Sequence, residues 1–350
     1  MKTLTQAHKI ARELTVIVPA YNEAESIADT IKSIQSQTIP PKEIIIVDDF
    51  SSDETGDIAR SCGVRVIRPP RNTGSKAGAQ NFALVMVATN YTMAIDADTI
   101  LAPDAIEKLA PALNDSSIAC ACGFVVPRKA ETVWERGRYI EYLFAFTFYK
   151  PIQDYFGKIL ISSGCFSIYR TDVLKQVGGW PTRTMAEDMD LTWTIYNKRY
   201  GTRFVPEAVC YPIEPSSFHI MRKQLKRWSH GFVQNLMLHW QEVLQIPYLR
   251  MAITVALWDT VSVAIAYLLL IPLLTILFQN PFFLLAYVID APAVFVPVFL
   301  RAQQRQEINQ ALVSFPAFFL LRVVNSIFIL EALWSELVRG ERLLIYEKGH

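Results

Sequence analysis

The sequence predicts an α/β domain with a mostly parallel sheet, followed by interfacial and transmembrane α-helices. Three observations carry this. Short β-branched runs alternate with helical patterns in the first part of the chain, which marks parallel strands joined by crossover helices. Paired aspartates stand where those runs end. Hydropathy is concentrated after Tyr248. The chain therefore divides into a charge-bearing part, residues 1–245, with interfacial helices near 218–245, and an apolar part, residues 246–350, with a short basic tail.

The first strand is LTVIVPA (14–20), followed by a helical pattern over 25–37 whose start is marked near Asn22 to Ser26. EIIIVDD (43–49) is the second strand, residues 53–62 a second helix, and VRVIRP (64–69) a third strand. A helix over 77–88, a strand at YTMAIDAD (91–98) and a helix opening near Pro103 complete the series, with Asp104 and Glu107 in that last helix's first turns. Ligands of open α/β sheets bind at the carboxyl ends of the strands. Asp48, Asp49, Asp96 and Asp98 stand there.

Alternation places Asp96 and Asp98 on one side of an extended strand, close enough to share a divalent ion. A departing diphosphate needs such a cation, because negative charge builds on it as it leaves. Either pair alone reads equally well as turn chemistry after a strand. A third acidic group, Glu187, Asp188 and Asp190 in MAEDMDLTW, precedes a helical pattern, where the helix macrodipole favours acids. One of these carboxylates also suits a general base that takes the proton of an attacking hydroxyl.

Composition excludes other classes. With 34 Lys and Arg against 33 Asp and Glu, no broad basic surface for nucleic acid is expected. The five cysteines are odd in number, lack CxxC pairs and read as reduced thiols in the cytosol. No apolar run before the first strand is long enough for a signal peptide. The histidines lack metal-ligand spacing, so His219, His230 and His239 are expected at the surface or an interface.

Residues 251–278 are apolar except for Asp259 and a few hydroxyls, and 282–300 except for Asp290; each is long enough to span a bilayer. Residues 311–333 carry Arg322, Asn325 and Glu331, which should face protein, a headgroup or a substrate channel. That stretch reads either as a third span or as an interfacial or core helix. Arg301 and Arg305 point to a cytoplasmic loop after the second span; three full spans would then put the basic tail outside, against the same charge rule.

Taken together, these residues resemble the inverting family-2 glycosyltransferases with the GT-A fold, in the branch containing cellulose, chitin and hyaluronan synthases and the ceramide glucosyltransferases. The resemblance is collinear through VIVPAYNE (16–23), VDDFSSDET (47–55), GSKAGAQN (74–81), DADT (96–99), SGCFSIYR (163–170), AEDMDL (186–191) and QLKRW (224–228). It implies that Tyr21 and Glu23 line a nucleoside pocket, that Asp48 contacts the uracil and that Lys76 sits near the nucleotide. Asp96 would help hold the donor, and Asp98 would bind Mg²⁺ or Mn²⁺. Asp188 would be the catalytic base, with Glu187 beside it. QLKRW matches the family's QxxRW motif: Gln224 and Arg227 would serve the donor diphosphate and Trp228 the acceptor. Arginine's fixed fork is apt for phosphate oxygens. Without the resemblance, QLKRW reads as a basic amphipathic helix on a membrane surface, and both readings hold together. A single in-line displacement needs no enzyme nucleophile, so Ser162, Ser163 and Cys165 are expected to line the acceptor pocket or to pack.

The expected activity is transfer of a hexose, glucose or N-acetylglucosamine, from a UDP-sugar to a lipid acceptor such as diacylglycerol. Few spans, and none before the catalytic domain, offer little material for a polymer channel. The alternative is a processive polysaccharide synthase. A silent membrane scaffold or sugar-binding module would be signalled by loss of Asp98 or Asp188, and both are present. Dolichyl-phosphate sugar synthases generally lack QxxRW. The expected setting is an integral plasma-membrane protein with a cytoplasmic catalytic domain. Its partners are the UDP-sugar, a lipid or glycan acceptor and the bilayer, with no nucleic acid and a homo-oligomer left open.

Overall fold

The computed structural model of the chain describes residues 2–343. The end of the expected basic tail, residues 344–350, lies outside the described residues. The chain forms two compact units. The first comprises the chain up to Arg128 with Lys150–Arg183 and Glu187–Ile213; the second comprises Lys129–Tyr149, Thr184–Ala186 and the chain from Glu214 onward. The division is thus not the single cut after residue 245 expected from hydropathy. Residues 129–149 and 214–245 are polar enough to read as part of the α/β domain, yet they pack with the apolar helices.

The first unit is built on one sheet with the order β3-β2-β1-β4-β7-β6-β8-β5. Its strands are β1 Leu14–Ala20, β2 Glu43–Asp48, β3 Arg65–Ile67, β4 Tyr91–Ile95, β5 Ile100–Leu101, β6 Ile118–Val125, β7 Phe166–Arg170 and β8 Gly201–Tyr211. β3, β2, β1 and β4 run parallel, as the sequence predicts. β1 is buried at every position except Pro19, and β6 throughout. Strands covered on both faces read as such continuous apolar runs. Ile17, Ile45, Val47 and Ala94 pack with Ala79 and Ala83 of the Lys76–Leu84 helix. A fully buried aliphatic side chain of this kind contributes about 1.5–3 kcal/mol.

Four features depart from the sequence reading. β4 ends at Ile95, so Asp96 and Asp98 are not alternate residues of an extended strand: Thr99 N–H donates to the Asp96 carbonyl (3.1 Å) as the chain turns into β5. β7 runs antiparallel between β4 and β6, making the sheet mixed. A helix at Lys2–Ala11, whose apolar face of Ala7, Ile10 and Ala11 is too short to stand out, precedes β1. His230 and His239 are buried rather than at the surface; His230 Nδ1 lies 2.7 Å from Glu336 Oε1.

In the second unit the Val133–Phe144 helix opens with a capping box: Glu135 N–H donates to Thr132 Oγ1, and Thr132 N–H donates to Glu135 Oε2 (2.8 Å). Three helices, Pro247–Leu277, Pro281–Gln304 and Ile308–Arg339, are long and apolar enough to cross a membrane. Gly137 lets the Val133–Phe144 helix approach the last of these, since a Cβ there would lie 3.0 Å from Leu321 Cβ. Met221 and Leu225 of the Phe218–Leu238 helix pack on Leu321. The chain after the third apolar helix is tied to the same Phe218–Leu238 helix: Gln234 Nε2 donates to the Leu343 carbonyl (3.0 Å) and to Glu336.

Three charged residues of the apolar helices, Arg322, Asp290 and Asp259, meet one another, as their cost against lipid demands. Arg322 pairs with Asp290 and lies 3.7 Å from Asp259, which also accepts from Tyr149 Oη (3.3 Å). Arg322→Leu strands two carboxylates and is expected to destabilise the protein by about 2 kcal/mol. Thermal unfolding in detergent reads this as a lowered Tm; an unchanged Tm would show that the cluster holds nothing together.

Candidate active site

The register of the first unit brings the sequence motifs to one edge of the sheet. Ala20 at the end of β1 pairs with Asp48 at the end of β2, and Ile95 at the end of β4 pairs with Phe166 at the start of β7. The loops after β1, β2 and β4, and the turn before β7, therefore share that edge.

The first two loops are stitched together. Asn22, in a left-handed backbone conformation (φ 54°), donates its N–H to Ser51 Oγ (3.0 Å) and accepts from Ser52 N–H (2.8 Å). Glu23 N–H donates to Thr55 Oγ1 (2.7 Å), and Glu23 is buried with Ser26 Oγ on its carboxylate. Tyr21 stays 43% exposed beside them in sequence, and Phe50, also left-handed (φ 69°), is 48% exposed.

Asp48 is the residue expected to contact the uracil. It is fully buried, and both of its oxygens are engaged: Oδ1 accepts from Ser51 N–H (2.9 Å) and Oδ2 from Arg68 Nη1 (2.9 Å). Arg68 also donates to the Ser51 carbonyl and lies over the Phe50 ring at 4.9 Å. The pair shapes the β2 loop from within. Asp49 does similar work one residue on, accepting from Thr73 N–H and Oγ1 at 2.9 and 2.8 Å. That fixes the turn through Gly74 to Ser75, whose hydroxyl caps the Lys76–Leu84 helix.

Lys76, the first residue of that helix, is the hub of the site. Its ammonium pairs with Asp96, donates to the Gly164 carbonyl (3.0 Å) and lies 3.9 Å from Glu187 Oε1. Gly164 N–H in turn donates to Asp188 Oδ2 (3.1 Å), while Asp188 Oδ1 accepts from Met189 N–H (2.8 Å). Four motifs separated widely in sequence thus meet. Burial, and after it the adjacent Glu187 carboxylate, pushes the Asp188 carboxyl up to about 6, against the pull of Lys76 and the two N–H groups. Asp190 is set apart: fully buried, it forms a bidentate pair with Arg183 at 2.8 Å and holds the start of the Glu187–Asn197 helix.

Asp98 is buried to 8% exposure and accepts from Thr99 Oγ1 (3.2 Å). Among the described residues no three His, Cys, Asp or Glu side chains are grouped to hold a metal on their own. Asp96 and Asp98 nevertheless suit a hard cation. Mg²⁺ in nucleotide sites is commonly held by one or two carboxylates together with substrate phosphates, not by a complete protein cage. Cys165, next to Gly164, is half-buried; Ser162 is buried and bonds Cys120 and Ser167, a packing role.

The QxxRW residues lie on the Phe218–Leu238 helix of the second unit. Gln224 Oε1 is buried and accepts no hydrogen bond among the described residues. Trp228 is covered by the Arg138 guanidinium, 4.2 Å from its ring centroid. Arg138 is itself buried, with the Tyr142 ring centroid at 4.7 Å, Glu214 at 3.2 Å and Glu141 paired to Nη1. Neither Arg138 nor Arg68 is announced in the sequence, because the buried acid that each pairs with, Glu214 or Asp48, is distant along the chain. Gly231, one turn on, allows close packing against Ala186: a Cβ there would lie 2.6 Å from the Ala186 Cβ.

The mixed, mostly parallel sheet with acidic groups at its ligand edge is a GT-A-like fold. Residues 15–178 of the chain match the model of glycosyl transferase family 2. Its curated relatives include poly-beta-1,6-N-acetyl-D-glucosamine synthases. That of Staphylococcus epidermidis is 29% identical over 229 residues, 64% of this chain and 55% of the relative. That of Staphylococcus aureus strain COL is 29% identical over 226 residues, 62% and 54%. The chain spans about half the length of the curated relatives it matches. A mannosyltransferase from Pyrobaculum calidifontis, solved in complex with GDP-Man and Mn²⁺, is similar in fold with a TM-score of 0.62. At 19% identity, over 94% of this chain and 88% of that one, this likeness concerns the fold alone.

Proposed function

We propose that the protein is a membrane-bound inverting hexosyltransferase that adds N-acetylglucosamine from a UDP-sugar to a growing glycan. The observation that carries transfer chemistry is the convergence on Lys76: Asp96, Gly164 and Glu187 on its ammonium, and Asp188 on the Gly164 N–H. The glycan acceptor is favoured over the diacylglycerol-type lipid expected from the sequence because the matched curated relatives are polysaccharide synthases. Three helices able to cross a membrane fit a site at the cytoplasmic face of the plasma membrane, where UDP-sugars are available.

Tyr21, Glu23 and the loop shaped by Asp48 receive the nucleoside, and Lys76 offsets charge beside the donor. Asp188 accepts the proton of the acceptor hydroxyl, with Glu187 tuning it, as the hydroxyl oxygen attacks the anomeric carbon. The bond from that carbon to the phosphate oxygen breaks, and UDP departs with the electron pair. Asp96 and Asp98 would hold a divalent cation, Mg²⁺ or Mn²⁺, whose chemistry is to neutralise charge on the diphosphate. Gln224 and Arg227 are assigned to the diphosphate, and Trp228 and Cys165 to the acceptor, on their motifs.

Purified full-length protein incubated with radiolabelled UDP-GlcNAc and Mg²⁺ or Mn²⁺ tests this reading by product size. A labelled glycan that lengthens with time is expected. A single labelled lipid would return the acceptor to the glycolipid class, and label remaining wholly in UDP-GlcNAc would overturn the proposal.

A further inference from the structure

A buried lysine that the reaction does not itself require lies under the Gly164 turn. Lys150 is 9% exposed. Its ammonium donates to the Ile161 carbonyl (2.9 Å) and to Ser163 Oγ (2.8 Å), and lies 3.3 Å from Cys122 Sγ on β6. An ammonium is costly to bury and persists only where its hydrogen bonds are met. Ile161 and Ser163 belong to one segment, residues 159–164, which has no regular secondary structure.

Because that segment forms no ladder, its backbone groups are satisfied by side chains. Ser162 N–H donates to Thr192 Oγ1 (3.0 Å), and the Leu160 carbonyl accepts from Trp193 Nε1 (3.0 Å). The end of the segment is Gly164, whose N–H meets Asp188 and whose carbonyl, in the next peptide group, meets Lys76. Space there is tight, since a Cβ on Gly164 would lie 3.2 Å from Lys76 Nζ and 3.3 Å from Asp188 Oδ2. A small displacement of the turn therefore moves the partner of both charged groups at once.

We propose that Lys150 is a positioning residue for sugar transfer: by tying Ile161 to Ser163 it fixes the Gly164 backbone, whose N–H and carbonyl orient the Asp188 carboxylate and the Lys76 ammonium. This rests on the reading of Asp188 as the base. Lys150 touches neither donor nor acceptor in this role, so it acts on turnover and not on nucleotide affinity. Misplacing a catalytic group by about an ångström costs up to roughly 100-fold in rate.

Lys150→Met in the full-length protein tests the inference through kcat, the KM for the donor and the Kd for UDP. The expected result is a kcat lowered about 10- to 100-fold, with KM and UDP affinity within about threefold. A kcat within about twofold of the parent at unchanged UDP affinity overturns it. If Lys150→Met no longer binds UDP, Ser163→Ala, which removes one contact and no charge, decides: a fall in kcat at constant UDP affinity supports the inference, and an unchanged kcat overturns it. Asp188→Asn, assayed alongside, separates the two readings. Turnover retained in that variant removes the base itself, whereas its loss with Lys150→Met unaffected removes only the role of Lys150.

Discussion

Asp188→Asn is expected to lower transfer by about 10²- to 10⁴-fold, the range a general base supplies, while the Kd for UDP stays within a few-fold. The asparagine keeps one acceptor oxygen in place of two, so it retains one of the bonds from the Gly164 and Met189 N–H groups (3.1 and 2.8 Å) and sets its amide NH2 against the other. What is lost is the capacity to take a proton. The pH dependence follows from the same group. Burial and the Glu187 carboxylate raise the Asp188 carboxyl to about 6, so the basic form is complete above that pH and disappears below it. The parent kcat should be flat above about pH 7 and fall towards tenfold per unit below pH 6. Retained turnover in the variant, or an acid limb unchanged by the substitution, would take Asp188 out of the mechanism.

Arg138→Met should produce the largest loss of stability, roughly 3–5 kcal/mol, as expected when one partner of a buried ion pair is removed. Arg138 and Glu214 are 1% and 3% exposed, and Glu141 shares the same guanidinium. Without the cation the buried Glu214 and the partly exposed Glu141 lose their common partner, and Trp228 and Tyr142 each lose a cation over the ring. Thermal unfolding in detergent measures the effect. Adding Glu214→Gln should recover part of it by removing one stranded charge, and a single variant that melts with the parent would contradict the account. Because Trp228 belongs to the QxxRW motif, residual folded Arg138→Met should also show a raised acceptor KM.

Much of the first unit was legible because its signals are local. The apolar runs LTVIVPA and EIIIV give β1 and β2 within a residue, and aspartates after them fall at the ligand edge. The break at Ile95 was not legible, since whether the chain stays extended through Asp98 depends on β5 pairing with β8, over a hundred residues on. The same holds for β7, whose place between β4 and β6 is set by non-local ladders. Site residues that belong to motifs were found in sequence, and Lys76, Asp96, Glu187 and Asp188 do converge. Residues that support them were not. Arg68 reaches back 20 positions to Asp48, Lys150 forward 13 to Ser163, and Arg138 forward 76 to Glu214. No spacing announces such pairs. The burial of His230 escaped for the same reason, as its partner Glu336 lies 106 residues away.

The most direct test follows both products of the reaction at once. Purified protein supplied with doubly labelled UDP-GlcNAc and a divalent cation should release one UDP for every sugar that becomes bound to glycan, and Asp188→Asn should do neither. UDP released with only free N-acetylglucosamine, or equal transfer by Asp188→Asn, would contradict a transferase that uses this edge of the sheet.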